Sequence, residues 1–125
     1  MTRVTIQVME EQLTVYLSGE IDHHSQKSLR DQVDHMIRLE LPKTLVLDFS
    51  GVTFMDSAGI GFVLARYRLM SQLGGVVIVQ GVNEVTARMM RLSGVEKLVT
   101  LKPMRAEKTR EFFNRKDDLN ETTGG

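Results

Sequence analysis

The sequence predicts a single α/β domain built around a partly parallel sheet, and three observations predict it. A chain of 125 residues with 42% hydrophobic content is enough for one core that buries roughly two thirds of the surface the unfolded chain exposes. Two stretches of period-two alternation open the chain, which is the pattern of a half-buried hairpin. After them, β-branched runs alternate with segments of helical periodicity, the signature of strand-helix-strand units joined by right-handed crossovers. No repeat and no internal linker interrupts this order.

Val4-Thr5-Ile6-Gln7-Val8 and Leu13-Thr14-Val15-Tyr16-Leu17 alternate apolar and polar residues around the polar break Glu10-Glu11-Gln12, so they read as an antiparallel pair. Gly19-Glu20-Ile21-Asp22 leads into a segment with Leu29, Val33, Met36 and Ile37 at helical spacing; Asp22 or Ser25 is available as its cap, and Pro42 ends it. Leu45-Val46-Leu47-Asp48-Phe49 is a nearly continuous β-prone run, the pattern of a central strand, with Asp48 as its odd residue. From Ala58 to Leu73 the apolar residues Ile60, Phe62, Val63, Leu64, Ala65, Tyr67, Leu69 and Met70 cover most of a helix circumference, which predicts a well-buried helix. Gly74-Gly75 stops it and turns the chain into the strand Val76-Val77-Ile78-Val79. A third helix, capped by Asn83 and stopped by Gly94, is predicted to bury Val85, Met89 and Leu92 at i, i+4 and i+7. A short edge strand is expected between Val95 and Leu101, and Pro103 is placed to open a last helix reaching Arg115. Residues 1–115 are therefore expected to form the domain and the polar stretch 116–125 a disordered tail.

Sixteen basic residues balance sixteen acidic ones, which argues against a nucleic-acid or membrane-surface binder, because both partners select a basic excess. Without cysteine there is no disulfide, thiolate nucleophile or soft metal site. The N-terminus alternates polar and apolar residues instead of forming a signal-peptide core, and no apolar run approaches the ~18 residues of a membrane span. The chain is expected to be soluble and cytoplasmic, with no cofactor and no metal.

The segment Phe54-Met55-Asp56-Ser57-Ala58-Gly59-Ile60-Gly61 follows a strand and opens the second helix, so the Ser57 hydroxyl is presented at a helix N-terminus. There it can cap the helix through its oxygen, a contribution of about 1 kcal/mol, or accept a phosphoryl group that the dipole and free N–H groups help to hold. Phosphorylation would add about −1.5 to −2 charges beside Asp56, with Asp48 and Asp22 expected on neighbouring loops. A docked surface would then be repelled, and a hundredfold loss of affinity needs only ~2.7 kcal/mol. A hydrolase reading of Ser57 needs a base within reach; the three histidines His23, His24 and His35 all lie upstream, a triad with Asp48 or Asp56 has no specific signal in the sequence, and the first glycine of the G-x-S-x-G elbow is missing. Neither a Walker sequence nor G-x-G-x-x-G is present. Gly59-Ile60-Gly61 therefore reads as flexibility and close packing at the helix start, and a small nucleotide-binding or nucleotide-hydrolysing protein using Gly59 and Gly61 is kept as the alternative of another class. Adjacent His23 and His24 face apart, unlike the i, i+4 pair that shares a metal. The eight methionines read as core filling. The run of basic residues Arg105, Lys108, Arg110, Arg115 and Lys116 is interrupted by Glu107 and Glu111, as on a solvated helix face.

Gly19-Glu20-Ile21-Asp22-His23-His24 followed by Leu29, together with the Phe54–Gly61 motif and Arg66-Tyr67, closely resembles the anti-sigma factor antagonists of the STAS domain family, the sporulation type that opposes anti-sigma-F factors above all. The likeness runs from about Val4 to Leu101. It implies a STAS-like domain with a small mixed sheet of four to five strands and about four helices. It also implies a non-enzymatic switch: the unphosphorylated protein binds an anti-sigma factor that is itself a serine kinase and so frees the sigma factor. The kinase then phosphorylates Ser57, and a PP2C-type phosphatase restores it. On this resemblance the partner-binding residues are Asp22, His23, Asp56, Ser57, Ala58, Gly59, Ile60 and Gly61, with Asp22 expected to meet a basic residue of the kinase. The free protein is expected to be a monomer. Many relatives carry a second serine where this chain has Ala58, leaving Ser57 as the only hydroxyl at the loop tip. A general stress-response antagonist, or a signalling scaffold of the same fold, is the alternative circuit.

Overall fold

The computed structural model describes residues 2–104. Strands β1 (Thr2–Met9) and β2 (Gln12–Ile21) form the expected hairpin, in the register Val4 to Leu17, Ile6 to Val15 and Val8 to Leu13. Helix α1 (Gln26–Glu40), strand β3 (Thr44–Met55), helix α2 (Ser57–Gln72), strand β4 (Val76–Val82), helix α3 (Glu84–Ser93), a 3-10 turn (Val95–Lys97) and strand β5 (Thr100–Pro103) follow. The five strands lie in chain order, β1 antiparallel to β2 and every later pair parallel. This is the small mixed sheet expected of a STAS-like α/β domain. Each crossover steps the same way across the sheet, so right-handed connections bring α1, α2 and α3 to one face.

The alternation along the strands follows from that arrangement. Leu13, Val15 and Leu17 of β2, Leu45 and Leu47 of β3, and Val77 and Val79 of β4 are buried with Leu29, Val33 and Ile37 of α1 and Phe62, Val63 and Met70 of α2. Burying each of these side chains contributes roughly 1.5–3 kcal/mol. Asp48 points away from this core. Its carboxylate accepts from Gln80 Nε2 at 2.8 Å and from the Ser50 N–H at 2.9 Å. Burial pushes its pKa up, but the bonds from the Ser50 hydroxyl, Gln80 and the Ser50 N–H outweigh this and hold the carboxyl below the usual range.

Several expectations are corrected. Asp48 lies inside β3 rather than on a loop beside Ser57. Strand β3 does not end at Phe49 but continues to Met55, paired with β2 as far as Ile21. On α3 the buried residues are Thr86, Ala87 and Met90, while Val85 is 71% and Leu92 82% exposed; of the expected stripe only Met89 is half-buried against the core, because the small side chains at 86 and 87 form the face that packs closely. Pro103 ends β5 instead of opening a helix. Three α-helices are present among the described residues. The last helix expected to reach Arg115, and the tail expected over 116–125, lie outside them. Leu41, at the C-terminal end of α1, takes φ 47° in the left-handed region immediately before Pro42, so the helix stops there as expected. No helix among the described residues is long and apolar enough to cross a membrane.

Candidate functional site

Strands β2 and β3 are parallel neighbours and end side by side, Ile21 opposite Met55. The Asp56 N–H donates to the Ile21 carbonyl at 3.3 Å, which ties the loop after β3 to the loop after β2. Asp22 and His23 are thereby brought to the same edge of the sheet as Asp56 and Ser57. The C-terminal edge of parallel strands is where α/β sheets commonly place their sites, because loops and helix N-termini converge there.

The cap of α2 is Asp56. Its backbone is extended (φ −105°, ψ −167°), and Oδ1 accepts the Ala58 N–H at 2.8 Å, while its carbonyl accepts the Gly59 N–H at 2.9 Å. An aspartate with non-helical φ/ψ just before the first turn is a strong cap, and its charge complements the dipole. The capping role open to Ser57 is thus taken by the residue before it. Ser57 is the first helical residue, exposed, and among the described residues its hydroxyl has no hydrogen-bond partner.

Asp22 organises the other loop. Its Oδ1 accepts the His24 and Ser25 N–H groups, both at 3.0 Å, and its own N–H donates to Ser25 Oγ at 3.1 Å. The N–H of Ser25, helped by its hydroxyl and by the His24 N–H and working against desolvation, holds the Asp22 carboxyl below its usual pKa. Ser25 itself makes no side-chain bond to the helix N–H groups. Both imidazoles are exposed, His23 edge-on to His24 with centroids 5.9 Å apart. Among the described residues neither is hydrogen-bonded to Ser57, and no acidic or histidine cluster with metal-holding geometry is present. Asp22 and Asp56 have no ion pair with Lys or Arg among the described residues, so two carboxylates on this edge are available to an incoming cation.

The two glycines differ. A Cβ on Gly59 would stand 2.1 Å from Met55 Cγ and 2.3 Å from its Sδ, so close packing explains that glycine; a Cβ on Gly61 would meet nothing within 4 Å, so packing does not explain this one. Ala58 and Ile60 are half-buried, and Ile60 packs against the core. Phe54, just before the loop, is 54% exposed and was not singled out as a contact from the sequence. Its alternation with buried Met55 was the available signal. A cleft of about 430 Å³ opens beside Asp22, between Val4 of β1 and Ser28, Leu29 and Gln32 of α1. Neither Gly59 nor Gly61 lines it.

Residues 3–108 match the family model described as the STAS domain. The chain belongs to the STAS domain family. Among curated STAS relatives, the anti-sigma F factor antagonist of Paenibacillus polymyxa is 39% identical over 89 residues, 71% of this chain and 76% of that protein. The anti-sigma factor antagonist SpoIIAA in its unphosphorylated form has the same STAS fold, with TM-score 0.72, 24% identity and coverage of 89% of this chain and 96% of that one. Its phosphorylated form, from Bacillus, aligns with TM-score 0.67 at 24% identity over 90% of this chain and 100% of that one.

Proposed function

We propose that this protein is an anti-sigma factor antagonist of the sporulation type, switched by phosphorylation of Ser57. One observation carries the reading: Asp56 caps α2, so the exposed Ser57 hydroxyl is left without a structural partner at a helix N-terminus. Unphosphorylated protein presents Asp22, His23, Asp56, Ser57, Ala58, Gly59, Ile60 and Gly61 to an anti-sigma factor serine kinase, and binding frees the sigma factor. A basic side chain of the kinase meets Asp22. Gly61 leaves the first turns of α2 bare, so the partner's backbone approaches closely. A phosphoryl group on Ser57 adds about −1.5 to −2 charges between two carboxylates already on that edge, which ejects the partner without refolding either protein. A PP2C-type phosphatase resets the switch. The protein is non-enzymatic, acts in the cytoplasm, needs no cofactor and is a monomer when free. The name of the Paenibacillus relative and the two forms of SpoIIAA support this reading.

The test is a titration of the unphosphorylated protein into a complex of the cognate anti-sigma factor and its sigma factor. Release of sigma by wild type and no release by the Ser57→Asp variant are expected. Release by both forms alike overturns the switch. Labelled nucleotide incubated with this protein alone should yield no product.

A further inference from the structure

Arg66 is the one charged residue of α2 that lies in the interior. It is 2% exposed, with its guanidinium carbon 4.8 Å from the Phe62 ring centroid. Its Nε lies 2.8 Å from Asp34 Oδ1 of α1 as an ion pair, and Nη2 donates to Oδ2 at 3.3 Å. Nε, Nη1 and Asp34 Oδ1 have no hydrogen-bond partner among the described residues, so the short Nε–Oδ1 contact is an ion pair without hydrogen-bond geometry and Nη2 makes the one hydrogen bond of the pair. Asp34 comes eight residues after the start of α1 and Arg66 nine after the start of α2, so at ~1.5 Å per residue the pair sits about 12–14 Å below both N-termini. Those N-termini follow the loops that carry Asp22 and His23, and Asp56 and Ser57.

Stability does not account for an arginine here. Moving a guanidinium out of water is costly, and apolar residues of similar volume in place of a buried ion pair are often neutral or stabilising. The pair is also imperfect. Burial lowers the Arg66 pKa, Asp34 opposes this, and Arg30 and Arg38 on α1 add repulsion that Asp31 offsets in part. Apolar burial is non-directional, whereas a guanidinium tied to a carboxylate by a hydrogen bond at Nη2 and an ion pair at Nε adds a directional link between α1 and α2.

We infer that the Arg66–Asp34 pair is a positioning device: it sets how α2 sits on α1, and with it the spacing of Asp22 and Ser57 that the partner reads. This rests on the function proposed above. The test compares wild type, the double variant Arg66→Met with Asp34→Leu, and Arg66→Lys, which keeps the charge and loses the fork. Denaturant unfolding, the Kd for the cognate anti-sigma factor, and KM and kcat for Ser57 phosphorylation are measured for each, with Ser57→Ala as control. The double variant is expected to unfold at or above the wild-type denaturant concentration while its Kd and KM rise about tenfold or more; Arg66→Lys should fall between it and wild type. A double variant that binds as wild type does, or that loses stability or fails to fold, overturns the inference and makes Arg66 a structural residue. Wild type that neither binds nor is phosphorylated at Ser57 overturns the underlying functional reading as well.

Discussion

Gly59 and Gly61 stand two residues apart in the same helix turn, yet alanine should act on them with opposite signs. At Gly61 the new methyl group meets nothing within 4 Å, the backbone is already helical, and alanine is favoured over glycine in a helix interior by about 0.8–1 kcal/mol. Gly61→Ala should therefore stabilise the protein by about 1 kcal/mol, a rise in Tm of roughly 4 °C for a chain of 125 residues. At Gly59 the methyl would stand 2.1 Å from Met55 Cγ, and Met55 is buried, so the thioether must leave its place; overpacking of this kind costs about 1–3 kcal/mol. If Gly61 is kept glycine for the partner's approach, the stabilised variant must also bind the anti-sigma factor more weakly. Thermal unfolding with calorimetric binding on the same preparations checks both halves. Gly61→Ala that is less stable than wild type would refute the packing argument, and Gly61→Ala that is more stable but binds equally well would refute the interface argument.

Asp56→Ala should lose the α2 cap and about 1 kcal/mol by urea unfolding, whereas Ser57→Ala should stay within about 0.5 kcal/mol of wild type. Asp22 has a lowered pKa in the folded protein, so what its carboxylate contributes is present above the ordinary aspartate value and is lost as pH falls through the lowered one; partner affinity followed against pH should be level through neutrality and drop only in acid, and Asp22→Asn should remove that drop. Leu41 is 62% exposed at φ 47°, a conformation glycine adopts at little steric cost, so Leu41→Gly should raise stability by about 0.5–1 kcal/mol in denaturant titration. Leu92→Ser should be nearly neutral and Met90→Ala should cost about 2–5 kcal/mol, since Leu92 is exposed and Met90 buried.

The elements easiest to read were those in which periodicity and punctuation agreed: the first hairpin and the helix stopped by Gly74-Gly75. The outward turn of Val85 and Leu92 could not be read because α3 carries two apolar stripes at helical spacing, and small Thr86 and Ala87 give the closer approach. From the sequence the capping role at the start of α2 is assigned to Ser57 alone, although aspartate is an equally good cap; the extended backbone and the bond from the Ala58 N–H give it to Asp56 instead. The extension of β3 to Met55 does not show in the sequence because the apolar run stops at Phe49, and Ser50 and Gly51 follow where the pairing with β2 shifts register. Burial of Arg66 was invisible because its partner Asp34 is 32 residues away and composition rules expect arginine at the surface. The position of the loop motif between a strand and a helix was legible, since its residues are contiguous and need only β3 before and α2 after to be placed.

The central claim is that Ser57 is a switch and Asp56 the cap. Intact-mass analysis of wild type and Ser57→Ala after incubation with the cognate anti-sigma kinase and ATP, with capture of the complex in parallel, tests it most directly. The account predicts one phosphate on wild type, none on Ser57→Ala, and loss of kinase binding in the modified form alone. Equal modification of Ser57→Ala, or a phosphorylated protein that still holds the kinase, would contradict it.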